Sequence, residues 1–161
     1  MAVPDPIVYS FPKFIVADTQ AGLDTGTAFE CSLTAATLTP SVSFNTIPSR
    51  GCSGPIQSPG AATWTLQLDW LQDWKEPGGG LSGWAWTNRL QPKWFRLIPD
   101  KNDTTIAAEG QAFVVPGGMG GTFGDGSAGT ATAQWQLLSD PEFDFPASTM
   151  QAAEDVEPAA V

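Results

Sequence analysis

The stretch Ala62-Thr63-Trp64-Thr65-Leu66-Gln67-Leu68-Asp69-Trp70 alternates without a break: even positions are apolar and odd positions polar. A period of two marks a half-buried strand, with one set of side chains on a core and the other on a different surface. The run Thr130-Ala131-Thr132-Ala133-Gln134-Trp135-Gln136-Leu137 alternates as cleanly, and Thr104 to Val115 is a third long strand with Glu109 and Gln111 among its polar positions. A fourth run, Ala28 to Thr39, changes phase: Phe29, Cys31, Leu33 and Ala35 are odd, whereas Ala36 and Leu38 are even. A β-bulge near Ala35 accounts for that shift. Shorter strands are predicted at Val42–Ile47 and Trp94–Ile98.

One helix is expected. Leu81, Trp84 and Ala85 fall at i, i+3 and i+4, after the breaker Glu76-Pro77-Gly78-Gly79-Gly80. Asp100-Lys101-Asn102-Asp103 reads as a hairpin turn. The Gly-rich segment 116–129 joins two long strands and is expected to be a mobile hairpin loop. These elements predict an all-β, mainly antiparallel fold, a β-sandwich or partial barrel with one short helix.

Composition narrows the chemistry. The 161 residues carry seven Lys and Arg against seventeen Asp and Glu, a formal charge of −10, and no histidine. That balance argues against gripping nucleic acid through phosphates, which needs clustered cations. It also removes imidazole as base, acid or metal ligand. Two cysteines, Cys31 and Cys52, cannot build a zinc site by themselves. They are expected to be reduced, with a bridge left open. No cofactor or metal is expected. The first residues have no basic n-region, and no run of eighteen apolar residues occurs, so neither a secretory signal nor a membrane span is expected. Six acids and no base lie from Asp140 onward, leaving −4 for residues 1–139. The last stretch has few large apolar residues, which predicts a flexible acidic tail over 140–161.

Catalytic patterns are weak. The Gly-rich segment lacks the Lys of a P-loop. Asp69 with Asp73, or Asp100 with Asp103, are imaginable acid/base pairs, yet acids near turns more often cap or stay solvated. Without histidine, a nucleophilic Ser or Cys would need an unusual base, so a non-enzymatic role is expected. Tryptophan is the remaining anomaly. Trp64, Trp70 and Trp135 share faces with Leu and Ala, which favours core. Trp74, Trp84 and Trp86 lie off those strands and are candidates for an intersubunit contact.

The order of these features resembles the major tail proteins (tail tube proteins) of long non-contractile-tailed bacteriophages, the siphophages. The resemblance rests on Phe29-Glu-Cys-Ser-Leu-Thr-Ala-Ala-Thr-Leu-Thr-Pro40, a loop ending Ser49-Arg-Gly-Cys52, and Ala62-Thr-Trp-Thr-Leu-Gln-Leu-Asp69 running into Gln72-Asp73-Trp74. The helix at Leu81, a strand at Lys93–Ile98 and the long strands around Glu109 and Thr132 follow, so it covers roughly residues 27 to 139. It implies a virion tail subunit, assembled in the host cytoplasm, that forms stacked hexameric rings and a hollow conduit for genome DNA. It also implies tape-measure, tail-tip and tail-terminator proteins as partners. On that resemblance, residues 27–139 are the β-sandwich tube domain and residues 1–26 an arm contacting neighbouring subunits through Tyr9, Phe11, Phe14 and Ile15. The lumen-facing candidates are Thr63, Thr65, Gln67, Glu109, Gln111, Thr130, Thr132, Gln134 and Gln136, although the same rows could face outer solvent. The rival expectation is a carbohydrate-binding or host-adhesion module that stacks sugars on exposed tryptophans.

Overall fold

The computed structural model describes residues 12–30, 32–48, 54–121, 124 and 126–146. Tyr9, Phe11, both cysteines and residues 147–161 lie outside them. Among the described residues eight strands run in the order β1 (Lys13–Ala17), β2 (Thr27–Phe29), β3 (Leu33–Ile47), β4 (Ile56–Leu71), β5 (Pro92–Ile98), β6 (Ala107–Phe113), β7 (Thr130–Gln136) and β8 (Glu142–Asp144). The one α-helix among the described residues, α1 (Gly80–Thr87), sits between β4 and β5 as expected. Every strand pairing is antiparallel. A five-stranded sheet has the order β2-β1-β5-β6-β8, and a three-stranded sheet the order β3-β4-β7.

The alternation read in β7 is realised in full, and that in β4 from Leu66 to Trp70, with Trp64 partly buried and Ala62 exposed. Leu66, Leu68 and Trp70 of β4 and Ala131, Ala133 and Trp135 of β7 are buried between the sheets. Phe14, Val16, Phe95 and Leu97 meet them from the other sheet, with Phe14 edge-on to Trp135 at 5.8 Å between ring centroids. Helix α1 closes the core with Leu81 and Ala85. Buried indoles need a partner for their N–H. Trp70 Nε1 donates to Ser82 Oγ at 2.8 Å, and Trp135 Nε1 to the Val115 carbonyl at 2.8 Å.

The expected phase change is also present. The β3–β4 register slips between Leu33 and Ala35, where the sequence called for a bulge, and again between Val42 and Phe44. The two expected strands at Ala28–Thr39 and Val42–Ile47 are, however, one strand of 15 residues, with residues 27–29 placed in the other sheet. Pro40 does not interrupt β3, because β3 is an edge strand and an edge tolerates a missing N–H. Strand β4 is 16 residues long, about 50 Å at the usual rise.

Three expectations are corrected by the sheet order. The Gly-rich segment closes no hairpin: β6 and β7 lie in different sheets, and the segment crosses between them. Its start is packed against the core, since a Cβ on Gly117 would lie 2.7 Å from the Trp70 ring. The two strands touch only at a seam, where Ala112 bridges Leu137 and the Leu138 N–H donates to the Gln111 carbonyl at 2.9 Å. Residues 13–17 are not an arm, because β1 lies between β2 and β5 and buries Phe14 and Ile15 in this chain's own sheet. Finally, Glu142–Asp144 of the expected acidic tail forms β8, paired with β6.

Candidate assembly surfaces

Register across β3, β4 and β7 decides which polar residues share a face. Thr37, Gln67 and Gln134 lie side by side, as do Thr39, Thr65 and Gln136, and Ala35, Asp69 and Thr132. With Ser41, Thr63 and Thr130 they cover the outer face of the three-stranded sheet. Local bonds hold the side chains flat: Thr132 Oγ1 donates to Asp69 Oδ1 at 2.6 Å, Thr65 Oγ1 to Gln136 Oε1 at 3.4 Å, and Gln136 Nε2 to the Trp64 carbonyl at 2.8 Å. Among the described residues this face carries one carboxylate, Asp69, and no Lys or Arg. Seven of the nine residues singled out as lumen-facing are here: Thr63, Thr65, Gln67, Thr130, Thr132, Gln134 and Gln136. Thr37, Thr39 and Ser41 belong with them and were missed; the alternate Thr and Ser of 37–41 were the available signal.

Glu109 and Gln111 do not belong to that face. Both are on β6 in the five-stranded sheet. Glu109 is ion-paired with Arg96 across the β5–β6 ladder, and its side chain is only 12% exposed. Arg96 also reaches Asp24 at 2.9 Å, and Gln20 Nε2 donates to Glu142 at 3.0 Å. Burial disfavours the charged guanidinium, but hydrogen bonds to Glu109 and Asp24 outweigh it and raise the Arg96 pKa above its ordinary value. This network fastens the turn at Ala21–Thr25 to the sheet, with Leu23 fully buried beneath it.

The interface candidates divide in a similar way. Trp84 is part of the core, stacked on Trp135 at 6.1 Å and tilted against Phe29 at 6.0 Å. Trp74 is half-buried and donates to Gln72 Oε1 at 3.3 Å. Trp86 alone of the three is exposed, with the Arg89 guanidinium 5.0 Å over its ring. The acid pairs also separate into structural roles. Asp73 accepts the Leu81 and Ser82 N–H groups at 2.8 and 3.0 Å and so caps α1. Burial raises its pKa, yet the hydrogen bonds from Ser82 and Leu81 outweigh that and hold it below the usual carboxylate range. Asp100 and Asp103 form the turn, accepting from the Asn102 and Thr105 N–H groups at 3.0 and 3.1 Å.

Two surfaces escaped the sequence reading. Strand β7 pairs with β4 only from Thr65 onward, so residues 56–63 of β4 pair with β3 alone. This two-stranded ribbon extends about 25 Å beyond the three-stranded part. Its apolar side chains are uncovered: Val42 is 45%, Phe44 61%, Ile47 52% and Ile56 59% exposed. At the other end of β4, three connections converge on an open cleft of about 1280 Å³. Gln72 organises it, hydrogen-bonding Gly120 and Thr130 through its side chain and Gly129 through its backbone N–H.

No family model matches the sequence, and no curated protein matches it. A solved cryo-electron-microscopy structure is similar: that of the anti-feeding prophage cap, described as the AFP tube terminating cap. The match has a TM-score of 0.54 and 21% identity, and covers 91% of this chain and 95% of that one. What the two chains share is the fold, along nearly the whole of each.

Proposed function

We propose that the chain is a structural subunit of a bacteriophage-type tail tube, assembling as stacked rings around a lumen that passes DNA. One observation carries the reading: the outer face of the three-stranded sheet is mostly Thr, Ser and Gln, with one carboxylate, Asp69, and no cation among the described residues. DNA presents one charge per roughly 1.7 Å of helix axis, and a wall without Lys or Arg releases no counterions and cannot hold it. In this reading that face lines the lumen, and closing the ring removes the open edges of the three-stranded sheet. The fold shared with a tube-capping structure supports it. Tape-measure, tail-tip and terminator proteins are the partners that follow, and the virion tail the place.

The likeness to a cap favours a second reading, a subunit that ends a tube rather than repeating along it. Negative-stain electron microscopy at rising protein concentration separates the two. Hollow filaments of uniform width support the repeating subunit, and rings that never stack support the cap. Compact monomers at every concentration would remove both. The sugar-binding rival is less favoured, because Trp70 and Trp135 are fully buried, Trp64, Trp74, Trp84 and Trp94 are partly so, and Trp86 alone is exposed.

For the lumen itself, Thr63→Lys with Gln134→Lys places two cations on the polar face. Assembled tubes of this variant should retain duplex DNA at low salt and release it as salt rises, whereas wild-type tubes retain none. Equal behaviour of intact tubes would move the lumen to another face.

A further inference from the structure

Strand β4 ends in an uncovered apolar ribbon at one extremity and an open cleft at the other. We infer that the ribbon of one copy docks into the cleft of the next, head to tail. This rests on the self-assembly proposed above and names the two surfaces that meet.

Residues 56–63 of β4 pair with β3 alone, and a two-stranded ribbon in water is marginal without something to pack on. Val42 and Phe44 carry the core-facing side of β3 past the point where the five-stranded sheet could cover it. The cleft offers half-buried Phe29 and Trp74 with exposed Leu71, edged by exposed Glu30, Lys75 and Glu76.

Charge selects a second copy as the occupant. The chain carries −10, so most pairings of two copies set like charges together. The two longest uncharged stretches of the sequence, 31–49 and 51–68, are those that include β3 and most of β4. The two strands of the ribbon therefore bring no charge of their own into a cleft edged by both signs. Its position selects the geometry. Ribbon and cleft lie at opposite ends of a strand about 50 Å long, so joining them translates one copy along β4. Such a contact is heterologous and does not close on itself, which generates a filament.

The test uses two exposed substitutions, Phe44→Asp on the ribbon and Leu71→Glu in the cleft, with near-ultraviolet circular dichroism to confirm the tryptophan core. In analytical ultracentrifugation and negative-stain microscopy, each variant alone should stop at the unstacked species, one ring or one monomer. An equimolar mixture keeps one working ribbon and one working cleft. It should form a two-layer species of twice that mass and grow no further. Wild-type-like filaments from Phe44→Asp, or a mixture that forms no two-layer species, would overturn the docking while leaving the tube reading in place. Assembly lost in Phe44→Asp but intact in Leu71→Glu would pair ribbon with ribbon and overturn the cleft assignment. Wild-type protein that never self-associates would remove the tube reading and the docking together.

Discussion

The carboxamide of Gln72 grips both backbone groups of Gly120: Nε2 donates to the Gly120 carbonyl at 2.6 Å, and Oε1 accepts the Gly120 N–H at 3.1 Å. One side chain thus imitates a rung of a β-ladder where β6 and β7 make none. The same Nε2 reaches the Thr130 carbonyl at 2.9 Å, so Gln72 holds the Gly-rich crossover beside the start of β7. Gln72→Ala removes these three bonds and the one that Oε1 accepts from Trp74 Nε1, and should lower stability by about 1–3 kcal/mol, read from urea unfolding. Hydrogen exchange at the Gly120 amide should accelerate more than exchange within β4. Unchanged protection at Gly120 would mean that the crossover is held by Gly117 packing on Trp70 instead.

Among the described residues Ser82 is the one buried polar residue of the core, and its hydroxyl accepts the Trp70 N–H. Ser82→Ala leaves that indole donor unsatisfied, at a cost of about 1–3 kcal/mol. In a double-mutant cycle with Trp70→Phe, the penalty of Ser82→Ala should shrink, because no donor is then stranded. Equal penalties in both backgrounds would refute the pairing.

Asp73 makes stability depend on pH. Its folded pKa lies below its unfolded value, so the contribution is fully present above the unfolded pKa and is lost as pH falls through the folded one. Asp73→Asn weakens the cap, and should cost about 0.5–2 kcal/mol near neutrality. The gap between mutant and wild type should close in acid. Gly80 shares this site: its φ is +56°, and a Cβ there would collide with the Asp73 carboxylate. Gly80→Ala should therefore destabilise the protein and flatten the same pH dependence. Denaturant midpoints measured across acid and neutral pH check both.

Glu109→Lys tests the reassignment of that residue. Opposite Arg96 it replaces an ion pair by two cations, with an expected loss of about 1–3 kcal/mol and partial recovery in high salt. Gln134→Lys, on the exposed face of β7, should change stability by no more than about 0.5 kcal/mol. Comparable effects of the two on thermal unfolding would contradict the placement of Glu109 in the Arg96 network.

The sequence by itself determined which side of each long strand is dry. Alternation in β4 and β7 named Leu66, Leu68, Trp70 and Trp135 as core, the phase change at Ala35 located a bulge, and the spacing of Leu81, Trp84 and Ala85 located the helix. These are local consequences of backbone geometry: side chains alternate along a strand and return every three to four residues along a helix. Which strands share a sheet is a different matter. Pairing is decided by partners far apart in the chain, such as Phe14 with Leu97, and the period of two is the same in either sheet. Only the tertiary structure could therefore separate Glu109 from Gln134, turn the Gly-rich hairpin into a crossover, and draw Phe14 into the core. It alone showed that β4 outruns its neighbour β7. A strand's own sequence does not record where its partner stops, and that mismatch leaves Phe44 uncovered at one end and the cleft beside Leu71 open at the other.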